Sequence, residues 1–323
     1  MRKLITCVMA FVFALTMNLC AAFAEYPDKP VTLVIPFGTG GATDLAGRTL
    51  AAAAQKYLGQ PVLVANRVGA SGTTGSHFVK NARPDGYTLL LARVAGQSIY
   101  PAQNLPNKLY EWDDFTIFTI LDINPFVFVV RNDSPYKTLQ ELADAIKANP
   151  GKLKYSHSGP TTALALGPQM LATEVGVKPS AVVGVPFTSD GDAKVALLGG
   201  NVDFLGVNLA GVIDQLAEGG GLRALALIGE NRLPELPDVP TVIEAGFPKL
   251  TSLAGWSGLY GPPNLPKDVF DKWISVLQQV KNDPDWLNVT LKLGNIPVMN
   301  SPEEAKKFVQ EQIEAFKGVY ENL

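Results

Sequence analysis

The strongest constraint on how this chain folds is a regular alternation of short apolar, β-rich runs with helical stretches, joined by glycine-rich loops. Residues 31–37 form such a run directly after Pro30 and read as a buried strand. The turn Gly38-Thr39-Gly40-Gly41 follows, and residues 44–57 then carry Leu45, Leu50, Ala53 and Ala54 on a helical pattern. A strand over 61–65, a loop at Gly69-Ala70-Ser71-Gly72, a helix over 74–81, a turn at Pro84-Asp85-Gly86 and a strand over 87–92 complete a β-α-β-α-β order. Such an order with short loops predicts an α/β layer fold with a mostly parallel sheet.

The alternation resumes after a polar, proline-containing stretch at 97–114. Strands are predicted over 115–121 and 125–130. Phe126-Val127-Phe128-Val129-Val130 has no in–out alternation, so both of its faces should be buried. A helix over 139–149 is introduced by Thr138 and ended by Pro150-Gly151. Further strands are expected over 154–156, 182–185, 202–207 and 222–228, with helices over 162–175, 192–198 and 210–217. After Pro262-Pro263 the pattern is helical over 267–282, 284–293 and 301–323. The chain thus reads as two α/β units, 25–124 and 125–240, and a helical tail that packs on one of them.

Residues 1–24 are expected to lie outside the fold. Arg2 and Lys3 make a positive start, 4–19 is an apolar run, and Ala22-Phe23-Ala24 precedes Glu25. This is the pattern of a secretory signal peptide cleaved after Ala24, which places the protein in the periplasm. The alternative is a membrane anchor, since about 20 apolar residues span a bilayer; the short core and the A-x-A end favour cleavage. Cys7 and Cys20 leave with the signal, so the exported chain has no thiol, disulfide or cysteine nucleophile. Apolar residues make up 47% of the chain, enough for a large core and too many for disorder. A net charge of −3 gives no basis for binding nucleic acid through bulk positive charge.

Conventional catalytic patterns are mostly missing. His77 and His157 stand in no metal-ligand spacing and read as surface or packing residues, and no G-x-S-x-G elbow occurs. The dinucleotide fingerprint fails at Thr43, where a third glycine is needed, and at Asn66, where an acid is wanted. No cofactor or metal is expected. The strand–glycine loop–helix arrangement still has a physical consequence. A helix start leaves about four amides without intrahelical partners and is partly positive. Phe37, Gly38, Thr39, Gly40, Gly41 and Asp44 therefore form either a cradle for a carboxylate or phosphate, or an ordinary turn. The loop Ser156-His157-Ser158-Gly159-Pro160-Thr161-Thr162 repeats the arrangement in the second unit. Two such loops on facing domains would grip both ends of a small dianion.

Several ordered segments carry a family likeness. They run from Tyr26-Pro27-Asp28-Lys29-Pro30 through Gly40-Gly41-Ala42-Thr43-Asp44, Asn66-Arg67 and Pro84-Asp85-Gly86-Tyr87-Thr88-Leu89-Leu90. They continue through Val185-Pro186-Phe187, Leu198-Gly199-Gly200-Asn201-Val202-Asp203 and Leu222-Arg223-Ala224-Leu225-Ala226. The last are Pro237-Asp238-Val239-Pro240-Thr241, Glu244-Ala245-Gly246-Phe247-Pro248 and Gly258-Leu259-Tyr260-Gly261-Pro262. In this set the chain resembles the extracytoplasmic solute-binding subunit of tripartite tricarboxylate transporters, the family of the Bordetella uptake gene products. The resemblance implies a two-domain Venus-flytrap fold of the periplasmic binding protein type, with the ligand cleft between the lobes. Lobe 1 would be 25–124 plus 241–323, and lobe 2 would be 125–240. The ligand would be a small di- or aromatic carboxylate, held largely by main-chain amides. A monomer would deliver it to one small and one large membrane subunit driven by an ion gradient, without enzymatic turnover.

Departures from the family pattern bear on the ligand. Phe187-Thr188-Ser189-Asp190 stands where Tyr-Lys-Gly-Gly is common, and Arg93 stands where small or hydroxylated residues are common. Arg93 and Asp190 can bind a second carboxylate and an ammonium respectively, pair with each other, or point to solvent. Pro160 removes one backbone donor from the second loop. Phe37 and Phe187 either stack on a flat ligand or pack in the core. The expected binding set is completed by Ser158, Thr161, Thr162 and Asn208. Alternatives to the transport reading are a binder of an acidic amino acid, a ligand-loaded co-receptor for a membrane sensor and, with least support, an exported hydrolase.

Overall fold

A computed structural model describes residues 26–229 and 231–322, so the expected signal segment lies outside the described residues. The apolar run after Pro30 forms β1 (Val31–Ile35), whose side chains are nearly all buried. It leads through the glycine loop into α1 (Ala42–Leu58), which ends where Gly59 adopts the left-handed conformation at φ 81°. Then come β2 (Val62–Asn66), α2 (Thr73–Lys80), β3 (Thr88–Arg93) and β4 (Thr116–Asn124). β1 lies between β2 and β3, parallel to both, with Val31 opposite Val62 and Leu33 opposite Leu89.

Pro125 carries the chain into a second sheet. Its elements are β5 (Phe126–Arg131), α3 (Leu139–Ala148), β6 (Lys154–His157), α4 (Ala163–Glu174), β7 (Val183–Pro186), α5 (Asp190–Leu198), β8 (Phe204–Asn208) and β9 (Leu222–Ile228). As expected from its unbroken apolar run, β5 is buried on both faces. The chain returns through β10 (Gly255–Gly261), α6 (Lys267–Val280), α7 (Pro284–Lys292), β11 (Ile296–Pro297) and α8 (Pro302–Asn322). The two sheets have the strand orders β11-β4-β10-β3-β1-β2 and β7-β6-β8-β5-β9. The helical tail packs on the first sheet, α6 against α1 and α8 against β4.

Three features depart from the sequence reading or go beyond it. The sheets are mixed rather than mostly parallel: β10 runs antiparallel to β3 and β4, and β5 antiparallel to β8 and β9. Strands that arrive from the other sheet need no crossover helix and can take either direction. Second, β10 is a fully buried strand inside the first sheet that the sequence pattern did not mark. Its three glycines lower its β-propensity but are needed for close approach. A Cβ at Gly255 would lie 2.5 Å from Phe126, and one at Gly258 would lie 3.0 Å from the Thr119 carbonyl. Third, the polar stretch at 97–114 is not all surface. Ala95–Ile99 winds into a buried π-helical turn that continues into Tyr100–Ala102. Gln97 is satisfied there in part by donating to Ser76 Oγ at 3.1 Å.

One apolar cluster fills both faces of the second sheet and continues beneath α8 to one face of the first. A second cluster lies between the other face of the first sheet and α1, α6 and α7. Trp256 and Tyr260 on β10 are completely buried in the first cluster. The Trp256 indole stacks on Tyr260 and donates from Nε1 to Gln312 Oε1 of α8 at 2.6 Å.

Candidate functional site

The loops that follow β1, β3, β6 and β7 meet the end of β8 around one small cavity of about 30 Å³. Phe37, Gly38, Gly41 and Arg93 line it from the first sheet, and Ser158, Thr162 and Asn208 from the second. The remaining expected residues lie elsewhere. Thr39 and Gly40 are exposed at the loop tip. Asp44 is buried below the loop. Thr161 turns to the rim, its amide donating to Ser71 Oγ at 3.4 Å. Phe187 is half-buried and packs against the second-sheet core, one of the two roles expected for it. The side chain of Asp190 lies outside the described residues. Sequence reasoning missed Thr43, Val94, Ala95, Phe126, Ala163, Leu164 and Ser189, which complete most of the lining.

Several of the missed residues contribute backbone. The N-caps of α1 and α4, Gly41 and Thr162, make no side-chain capping bond. The Thr162 hydroxyl instead donates to the Gly159 carbonyl at 2.7 Å. Among the described residues, the amides of Ala42, Thr43, Ala163 and Leu164 have no protein acceptor. α3, α5 and α7 are capped by Thr138, Ser189 and Asp283, whereas α2 and α6 also begin without a side-chain cap. Two uncapped helix starts, one from each sheet, therefore face the same cavity with their positive ends. Of the two readings of the first glycine loop, this geometry favours the anion cradle.

Asp44 builds the loop rather than the wall. Its Oδ2 accepts from the Gly40 amide at 3.0 Å and from Arg48 Nε at 2.8 Å. Its Oδ1 accepts from Asn66 Nδ2 at 2.9 Å, and the same Asn66 nitrogen donates to the Phe37 carbonyl. Burial pushes the carboxyl pKa up, but bonds from Arg48, Gly40 and Asn66 outweigh it and hold it below the ordinary value. The stabilisation is therefore present above the unfolded pKa near 3.8 and is lost as pH falls through the lower folded value. Asp44→Ala is expected to cost about 1–3 kcal/mol of stability, mostly from buried donors left without an acceptor, because Arg48 is half exposed and its ion pair adds little. Ligand affinity should fall as well, by about tenfold or more, since the cradle loses its shape. Urea unfolding and titration calorimetry separate the two; an unchanged affinity would remove Asp44 from this role.

Arg93 forms the cavity floor and is 5% exposed. Its Nη1 donates to Asn124 Oδ1 and, at 2.7 Å, to Ser257 Oγ; its Nη2 donates to Asn208 Oδ1 at 3.2 Å. Asn124 in turn donates to Asp122 Oδ1 at 2.6 Å. Burial pushes the Asp122 carboxyl up, against the opposing pull of the Arg93 charge. His157 is buried behind the second loop, where its Nδ1 accepts from the Gly159 amide at 3.1 Å and burial lowers its pKa. It is a packing residue, one of the two readings expected for it. Among the described residues, no group of three or more His, Cys, Asp or Glu could hold a metal ion.

At the rim the two sheets' loops touch through glycines. A Cβ at Gly38 would lie 3.1 Å from the Thr188 carbonyl, and one at Gly159 only 2.2 Å from Ser71 Oγ. Ala70 and Ser71, facing Gly159, are both held at positive φ, 46° and 55°. Gly159 itself sits at φ 139°, a conformation that favours glycine.

Comparison with known proteins agrees with this geometry. Residues 46–323 match the tripartite tricarboxylate transporter family receptor. A UPF0065 protein of Bordetella pertussis is 31% identical over 93% of this chain and 91% of its own length. The solved structure of the periplasmic binding protein BugD superposes with a TM-score of 0.84 at 32% identity, covering 92% of this chain and 98% of that one. MatC of Rhodopseudomonas palustris, solved with bound malate, gives 0.84 at 30% identity, covering 91% and 99%. The family is one of solute-binding receptors, not enzymes, and the solved structures share the mixed α/β fold. An uncapped helix start from each sheet, aimed into one cavity, is an arrangement for holding an anion, and the chain belongs to the tripartite tricarboxylate transporter receptor family.

Proposed function

We propose that this chain captures a small carboxylate between two lobes and delivers it to the small and large membrane subunits of an ion-gradient-driven transporter. The observation that carries the reading is the pair of uncapped helix starts, α1 and α4, facing each other across one cavity. A carboxylate accepts strongly from such amides, and the helix dipoles favour its charge. The malate bound by MatC is a ligand of this chemistry. The lobes correspond to the two sheets, 25–124 plus 241–323 and 125–240. The return crossing is not sharp, because Thr241 still bridges to Leu227 of β9. The mature protein is a periplasmic monomer, cleaved after Ala24.

The test is a thermal-shift screen of ligand-stripped mature protein against C4–C6 dicarboxylates, citrate, aromatic carboxylates and acidic amino acids. At about 100 times the dissociation constant a ligand adds about 2.7 kcal/mol, a rise of several degrees. A selective carboxylate hit supports the proposal. A response to amino acids alone would replace it with the zwitterion reading, and no response to any acid would sink it.

A further inference from the structure

A second, much larger cavity lies against the strand that links the two sheets. Residues 122–126 run from the end of β4 through Pro125 into β5. Extended chain sends successive side chains to opposite sides. Asn124 holds Arg93, and Phe126 lines the small cavity between the helix starts. Ile123 and Pro125 line the other space, of about 840 Å³. Ile228 of β9 closes it on the side of the second sheet, and Leu291, Ile296 and Phe308 of α7, β11 and α8 on the side of the first. The linking strand is thus a partition, with the helix-start cavity on one face and an apolar cavity on the other.

The chemistry of this space defines its occupant. Small-molecule pockets measure roughly 300–1,000 Å³, are mostly apolar and favour the junction of two structural units. Leu291 and Ile296, 47% and 44% exposed, present apolar surface that a ligand would cover. The charges at the mouth give an anion nothing to gain. Arg232 is paired with Glu244 at 2.9 Å and donates to the Pro237 carbonyl, and Glu235 is itself acidic. Asn295, in the wall, is 3% exposed, and among the described residues its Oδ1 accepts no hydrogen bond. A buried acceptor left unanswered is costly, and a donor on a ligand would answer it.

We propose that this space is a second ligand site, which takes an uncharged, mostly apolar molecule carrying a hydrogen-bond donor for Asn295. The site is separate from the carboxylate cradle and does not depend on it.

The experiment titrates the mature protein with N-phenyl-1-naphthylamine, an uncharged aromatic amine whose emission rises in apolar surroundings. Saturable binding of one equivalent is expected, and a saturating carboxylate from the thermal-shift screen should not displace it. Ile296→Glu and Leu291→Glu put a charge into the wall at exposed positions, and each should weaken binding about tenfold or more. The donor is tested by displacement. 2-Naphthol should displace the probe at a concentration about fivefold or more below that of 2-methoxynaphthalene, which has no donor. Asn295→Leu should abolish that difference, which a merely structural role for Asn295 would leave unchanged. No saturable binding, displacement by the carboxylate, or unchanged affinity in both glutamate variants would overturn the site. Equal displacement by the two naphthalenes would overturn the ligand class assigned to it. Circular dichroism checks each variant's fold; should Asn295→Leu not fold, the glutamate variants and the two naphthalenes on the wild type decide the matter.

Discussion

Gly159→Ala is expected to weaken ligand binding by about 10- to 100-fold in a protein that still folds. The new Cβ would lie 2.2 Å from Ser71 Oγ and 3.1 Å from Ser71 Cα, so the closed approach of the two loops is blocked. Neither partner gives easily. Ser71 is 4% exposed and, with Ala70, is held at positive φ in a tight loop. On the other side, Gly159 is tied through its amide to His157 and through its carbonyl to Thr162. Overpacking of this kind costs about 1–3 kcal/mol, which is roughly one to two powers of ten in affinity. Opening the cleft relieves the clash, so the unliganded protein should lose only the strain of a side chain at φ 139°, about 1–3 kcal/mol. Calorimetry with the acid giving the largest thermal shift measures the first effect, and urea unfolding the second. Adding Ser71→Gly removes the clashing atoms and should restore part of the affinity, which makes the pair non-additive. Full affinity in the single variant would mean that ligand is held without this contact.

Trp256→Ala should remove about 3–5 kcal/mol of stability, the range for truncating a large buried aromatic. The indole is completely buried on β10, stacks on Tyr260 and meets Phe308 of α8 edge-on. It also supplies the donor for Gln312 Oε1, while Gln312 Nε2 donates back to the Ala254 carbonyl at 2.8 Å. Truncation therefore leaves a cavity and an unpaired acceptor at the seam between α8 and the strand that returns from the second sheet. Trp256→Phe keeps most of the packing and should cost nearer 1–2 kcal/mol, mainly for the lost bond. The midpoint of urea unfolding reports both. A loss below about 1 kcal/mol for the alanine variant would show that the ring does not join α8 to the sheet.

Much of the architecture was legible because it is written locally. The apolar run of β5, Thr138 before α3 and the glycines after β1 each carry their meaning within a few residues. The strand β10 was not legible, since Gly255, Gly258 and Gly261 look like loop residues until Phe126, Thr119 and Leu265 are seen pressing on them. The site divided in the same way. Gly41, Ser158 and Thr162 belong to loops whose chemistry is local, and they line the cavity. Asp122, Asn124 and Ser257, which brace Arg93, come from two strands far apart in the chain, and no local spacing connects them. Ala42, Ala163 and Leu164 gave no signal because what they present to the cavity is an amide, which every residue but proline carries.

The position of β10 also fixes an order of assembly. It is inserted between β3 and β4, and its Ser257 meets Arg93 at a sequence separation of 164. A polypeptide emerging from its N-terminus can complete the sheet of β5–β9 as soon as residue 228 is available. The first-emerging strands β1–β4 must wait with a gap between β3 and β4 until the late strand arrives. Closing so long a loop is slow, and the waiting strand edges are open to wrong pairing. The sheet that begins first is therefore finished last, and the cavity between the two sheets' loops exists only when the chain is almost complete.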